Sequence, residues 1–196
     1  MAPFATEGRS LPLRLFVYGS LKRGFSNYSL YCRGSVSIEP TQIEGRLFQL
    51  PNGYPVLELP QSRILAHGTA DLRADLSRQG SERTAPKTRI PVPGAGWPGK
   101  SLVYGELLTF AGTPARLRAM DGLEHFRPGR KNPYERVLIE VYSPTRQARM
   151  TAWTYVAGDL SPTGRLIPTG KWTSSADRRP KPPWHGSSGS SRGPVK

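Results

Sequence analysis

The 196-residue chain predicts an α+β fold: a small mixed or antiparallel, barrel-like sheet flanked by short helices. Strand signals, short runs dense in apolar and β-prone residues, outnumber helical ones. One well-capped helix lies between two groups of strands, an order that suits helices set against a sheet. No repeat at a fixed period is visible.

Residues 1–12 read as a flexible lead-in. Leu13-Arg14-Leu15-Phe16-Val17-Tyr18 is a buried first strand, stopped by Gly19. Phe25, Tyr28, Leu30 and Tyr31 lie loosely at helical spacing, so residues 21–33 hold a short helix or an irregular turn. Gln42-Ile43-Glu44-Gly45-Arg46-Leu47-Phe48-Gln49-Leu50 alternates as a strand does. Pro51-Asn52-Gly53 then makes a turn into a second short strand or edge at 54–59. Residues 62–75 are ambiguous, and the prolines and glycines of 78–100 mark a mobile insertion. The strand pattern resumes at 101–110. Thr113 is a good N-cap with Pro114 at the first helical position, opening a helix from 114 to about 125. On it Leu117, Met120 and Glu124 are three and four residues apart, which places Glu124 on the apolar, inward face. Residues 136–142 and 148–156 form a hairpin about the turn Ser143-Pro144-Thr145-Arg146. The domain thus spans 13–168, followed by a basic, disordered tail at 169–196.

Composition agrees with one core and appendages. Apolar residues make up 36%, because Gly 21 and Pro 20 gather between 60 and 100 and again after 168. A folded part of roughly 130 residues still buries a self-sufficient core. The lone Cys32 excludes an internal disulfide and suits a reducing compartment. No apolar run approaches the roughly 20 residues that cross a bilayer, and no secretory signal opens the chain. The expected setting is cytoplasmic, with no membrane partner. The net charge of +14 invites a nucleic-acid reading. Residues 171–196 carry six basic residues against one acid, and 60–100 seven against three. Nearly two-thirds of the excess therefore sits in segments expected to be irregular, which favours a basic tail over a basic reading surface.

No phosphate loop, dinucleotide glycine pattern, metal-binding histidine pair or nucleophile elbow is present. His67, His125 and His185 are scattered, and Cys32 reads as packing, so chemistry falls to a carboxylate. Two features remain. Tyr18-Gly19-Ser20-Leu21 follows a buried strand directly, where successive N–H groups can form an anion-binding concavity. Spacing alone favours the plainer reading, a tight strand exit with an aromatic residue before it. Glu124 sits on an apolar helix face, where a carboxylate is costly unless paired or functional. Its pairing with Arg127 or Arg136 is the plain alternative, and Asp121, one turn earlier, is a rival.

The surroundings of these features resemble the γ-glutamylcyclotransferase-like family, which includes γ-glutamylamine cyclotransferases and plant AIG2-like proteins. Phe16-Val17-Tyr18-Gly19-Ser20-Leu21-Lys22-Arg23-Gly24 with Asn27 is similar to its opening. Gly45-Arg46-Leu47-Phe48 and Gly53-Tyr54-Pro55 resemble its next strand and turn, and Val103-Tyr104-Gly105-Glu106-Leu107 its central strand. Met120-Asp121-Gly122-Leu123-Glu124 with Tyr134-Glu135-Arg136 resembles its acidic helix end, and Trp153-Thr154-Tyr155-Val156 its last strand. The likeness runs in order from Leu15 to Val156; the insertion, the long basic loop before Tyr134 and the tail depart from it.

What the resemblance implies is a γ-glutamylcyclotransferase-like fold and intramolecular cyclisation of a small γ-glutamyl substrate to 5-oxoproline, with no cofactor or metal. Glu124 would be the general acid/base, Tyr18, Gly19, Ser20 and Leu21 would bind the glutamyl group, and Tyr134 would line the site. Arg136 would fix the loop or balance charge. Two other readings stand beside it. One is a non-catalytic binding protein on the same fold, for an amino-acid-like ligand or a protein partner. The less favoured is a nucleic-acid binder using the tail with Trp172 and Trp184.

Overall fold

Alternation decides the architecture. The computed structural model describes residues 11–81, 101–111, 113–158 and 164–173, and its strands put odd and even side chains into two separate cores. In β1 (Leu13–Val17), Leu13, Leu15 and Val17 face one core while Phe16 faces the other, joined by Tyr18 just past the strand. In β5 (Ser101–Phe110), Val103 and Leu107 oppose Leu108 and Phe110 in the same way. Each such side chain taken from water stabilises the fold by about 1.5–3 kcal/mol.

The remaining strands are β2 (Ser37–Gln49), β3 (Pro55–Glu58), β4 (Ala66–His67), β6 (Tyr134–Ser143), β7 (Ala148–Ala157) and β8 (Arg165–Leu166). They form one mixed sheet in the order β3-β2-β5-β1-β7-β6-β4, with β8 added to β2. Every pair is antiparallel except β1 with β7. The sheet curls until β2 faces β6, where Thr41 Oγ1 donates to the Tyr142 carbonyl and Ser143 Oγ to Glu39 Oε2, both at 2.6 Å. The hydrogen-bonded path still ends at β3 and β4, so the sheet is curled rather than closed. One core lies within the curl; the other lies between the sheet's outer face and the helices.

Those helices are α1 (Leu72–Ser81) and α2 (Pro114–Leu123), with a short π-helical turn at Tyr28–Cys32. Thr113 caps α2, accepting from Arg116 N, with Pro114 at its start. The α1 helix falls across the ambiguous stretch and the first residues of the expected insertion; residues 82–100 lie outside those described. Asp71 opens it, its Oδ1 accepting from Arg73 N and Ala74 N. The buried side chains are Leu72, Asp75, Leu76 and Gln79, a helical stripe that is half polar. Gln79 exchanges hydrogen bonds with the Arg14 backbone at 2.9 and 2.7 Å, docking α1 on β1.

The domain also runs past residue 168. β8 pairs with β2, Tyr104 N donates to the Gly170 carbonyl, and Trp172 is only 2% exposed. That burial withdraws Trp172 from any stacking with bases, and Trp184 lies outside the described residues. No helix among those described is long and apolar enough to cross a membrane.

Candidate active site

Because β1 lies centrally and parallel to β7, the C-terminal ends of both strands open at one end of the sheet. The antiparallel start of β6 arrives there too, with Tyr134 opposite Ala157. A recess of about 480 Å³, its open mouth included, forms at this end. Tyr18, Gly19, Ser20, Leu21, Glu124 and Tyr134 all line it, joined by Tyr54, Pro55 and Tyr155.

The turn after β1 is tightly held. Lys22 N donates to the Gly19 carbonyl at 3.0 Å, Asn27 Nδ2 to Ser20 Oγ at 2.9 Å, and Arg23 N to Glu106 Oε2 at 2.7 Å. A Cβ on Gly19 would lie 2.8 Å from Pro55 Cγ, so the glycine lets the two walls meet. Among the described residues no acceptor meets the N–H groups of Gly19, Ser20 or Leu21. Three free donors in succession make a concavity suited to an oxyanion.

Glu124 reaches the recess by the way α2 ends. The helix stops at Leu123, two residues short of the expected end, and Glu124 is its C-cap. His125 takes φ 54, with His125 N bonded to the Gly122 carbonyl and Phe126 N to that of Asp121 at 2.9 Å. This paired pattern is a Schellman stop, and buried Phe126 anchors it in the core. Glu124 N still makes the helical bond to the Met120 carbonyl at 3.0 Å, so Glu124 continues the turn of Met120, and the Schellman stop ends the helix directly after it, at the recess. No ion pair or hydrogen bond from another described residue meets its carboxyl. The residue is part-exposed at the recess, yet its carboxyl is enclosed enough that burial pushes its pKa from 4.5 to about 7.

The arginine considered as its partner is engaged elsewhere. Arg136 is fully buried, pairs with Asp75 of α1 and, at 2.5 Å, with Asp121 of α2, and donates to the Thr69 carbonyl at 3.0 Å. Burial raises the Asp121 pKa, while Arg136 and the Tyr155 hydroxyl, which donates at 2.8 Å, work against the rise. Tyr18 in turn donates to the Tyr155 carbonyl at 2.8 Å and Tyr134 to that of Pro55 at 3.2 Å. Burial pushes all three phenols above their ordinary range, so they stay neutral donors. Burial likewise pushes Cys32 to about 12, which leaves it no thiolate nucleophile. Among the described residues no three His, Cys, Asp or Glu side chains cluster to hold a metal.

Sequence reasoning did not assign Tyr54, Pro55 or Tyr155 to the site, although each lies in a quoted motif. Tyr155 carries the one readable signal, since strand alternation puts it on the same outer face as Trp153, toward α2.

A family model described as gamma-glutamyl cyclotransferase, AIG2-like, matches residues 15–75 and 77–174. Among solved structures the chain is similar to an AIG2-like protein from Mus musculus (16% identity, 89% of this chain and 99% of that one, TM-score 0.48). It is also similar to YkqA from Bacillus subtilis (17%, TM-score 0.47), covering 82% of this chain and only 39% of YkqA. At5g39720.1 from Arabidopsis thaliana shows 18% identity over 82% of this chain and 80% of its own, with a TM-score of 0.44. A search of curated proteins returns no match.

Proposed function

The chain belongs to the gamma-glutamyl cyclotransferase, AIG2-like family, and on that footing we propose that it cyclises a small γ-glutamyl amine or amino acid. The substrate's α-amine attacks its own γ-carbonyl carbon and closes a five-membered lactam. The bond from that carbon to the leaving nitrogen breaks, giving 5-oxoproline and a free amine, with nothing oxidised or reduced. A correctly held tethered nucleophile reaches effective concentrations on the order of 10⁵–10⁸ M, so the protein's work is to curl the substrate and move protons.

The free N–H groups of Gly19, Ser20 and Leu21 hold the glutamyl group in its curled form and receive negative charge as it develops. Glu124, as carboxylate, takes a proton from the α-ammonium and then gives one to the departing nitrogen. A group with pKa about 7 serves both steps near neutral pH. Tyr134 closes the outer wall through its bond to Pro55.

One observation carries this reading: the carboxyl in the recess has no partner among the described residues, and it shares that recess with three unoccupied N–H groups. The test is release of 5-oxoproline from a panel of γ-glutamyl amines and γ-glutamyl amino acids by wild type and Glu124→Gln. Turnover by wild type that the variant loses is expected. Equal turnover by both sinks the role of Glu124, and ligand binding without turnover by wild type makes the protein a binding protein.

A further inference from the structure

Residues 165–172 form a strap across the inner core, and we infer that Trp172, outside the recess, is a positioning residue that sets the spacing of the recess walls. This rests on the functional reading for its kinetic consequence, though not for its structural one.

The strap is stitched along its length. β8 pairs with β2, Ile167 N donates to the Leu47 carbonyl at 2.7 Å, and Gly170 N to the Ile167 carbonyl at 3.0 Å. At Gly170 the backbone has φ 61, and a Cβ there would fall 1.7 Å from the Leu102 carbonyl oxygen, so only glycine lets the strap lie this close. This delivers Trp172 behind the recess, where it touches the two segments that carry its walls. Its Nε1 donates to the Gly53 carbonyl at 3.2 Å, directly before the wall residues Tyr54 and Pro55. Its ring stacks on Phe25 at 5.2 Å, and its carbonyl accepts from Lys22 Nζ at 3.0 Å, directly after the turn that ends at Leu21. Lys22 also lies over the Phe25 ring at 4.9 Å. Trp172 therefore links, by its ring, its N–H and its carbonyl, the two segments that pack together where Gly19 meets Pro55.

Among the described residues no hydrogen bond, ion pair or ring contact joins the strap to α2 or to Glu124. Loosening Trp172 should weaken substrate capture and leave proton transfer alone. Trp172→Phe keeps an aromatic ring for the stack and loses the N–H donor together with the second ring of the buried indole. The expected result in the full chain is a KM raised about fivefold, the worth of one hydrogen bond, with kcat and its pH profile unchanged. Hydrogen exchange at the amides of Lys22, Phe25 and Gly53, each bonded within the two turns, should quicken. An unchanged KM, unchanged exchange, or a fall in kcat at constant KM overturns the proposal. If Trp172→Phe does not fold, Lys22→Met, which removes the bond to the Trp172 carbonyl, carries the test with the same outcomes. If wild type releases no 5-oxoproline, the functional reading fails by itself and the exchange measurement alone decides the role of Trp172.

Discussion

Asp121 and Glu124 stand three residues apart at the end of one helix, and their surroundings are opposite. Asp121 is buried and saturated: Arg136 at 2.5 Å, the Tyr155 hydroxyl at 2.8 Å, with Asp75 completing the cluster from α1. Glu124 meets no donor from a described residue and faces a recess. The first carboxylate, with Asp75, locks α2 and α1 onto β6 through Arg136; the second carries the cost of desolvation as a pKa near 7. Burial alone does not distinguish structure from chemistry at this helix end. Whether the charge has a partner does.

The contrast breaks most severely at Arg136. Arg136→Met leaves Asp75 and Asp121 buried without their cation, and losing one partner of a buried pair costs about 3–5 kcal/mol. Urea unfolding should show that loss; a change under 1 kcal/mol would mean the cluster is not what holds the helices.

Glu124→Gln should lower kcat/KM by a factor on the order of 10²–10⁴, the range for a lost general acid/base. It should also move stability the other way. A carboxyl with a folded pKa near 7 and an ordinary value of 4.5 binds protons more tightly when folded. Wild-type stability is then fully present below 4.5 and falls as pH rises to 7, by at most about 3 kcal/mol. Glutamine removes that slope. Unfolding at pH 5 and pH 8 should therefore show the variant gaining on wild type far more at the higher pH, and a parallel pair of curves would deny Glu124 its raised pKa. In wild type, kcat/KM should rise through an acid limb near pH 7.

Tyr155→Phe sharpens the comparison from the boundary between the regions. It removes one bond to Asp121 and should cost about 1 kcal/mol of stability, while the pH at which activity rises stays put. The smallest effect is expected at His125, whose φ of 54 suits glycine better. His125→Gly keeps the helix stop and should change thermal stability by no more than about 1 kcal/mol, upward, with kcat unaltered.

Much of this was legible in the chain. β1, β5 and the β6–β7 hairpin follow apolar and β-branched runs, and Thr113-Pro114 marks the start of α2. α1 was not legible, because its buried stripe is Leu72, Asp75, Leu76 and Gln79. Its period is helical but half its members are polar, and they are satisfied by Arg136 and the Arg14 backbone, far off in sequence. The first half of β2 was hidden for a related reason: Glu39 and Thr41 are polar yet buried, answered by Ser143 and Tyr142 across the curl. The strap at 165–172 straddled the expected domain end at 168, and its last residues, Trp172 among them, lay in a stretch whose composition reads as tail.

By itself the sequence determined β1, β5 and the β6–β7 hairpin, where α2 begins, and which short motifs carry polar groups to strand and helix ends, since these follow from local periodicity, capping and glycine. It did not determine which carboxylate would be spent on Arg136. The order of the sheet decided that, because β6 places Arg136 against Asp121 and Asp75 while α2 ends with Glu124 at the recess. A charge's partner is a matter of distance, and distance across a sheet belongs to the tertiary structure alone.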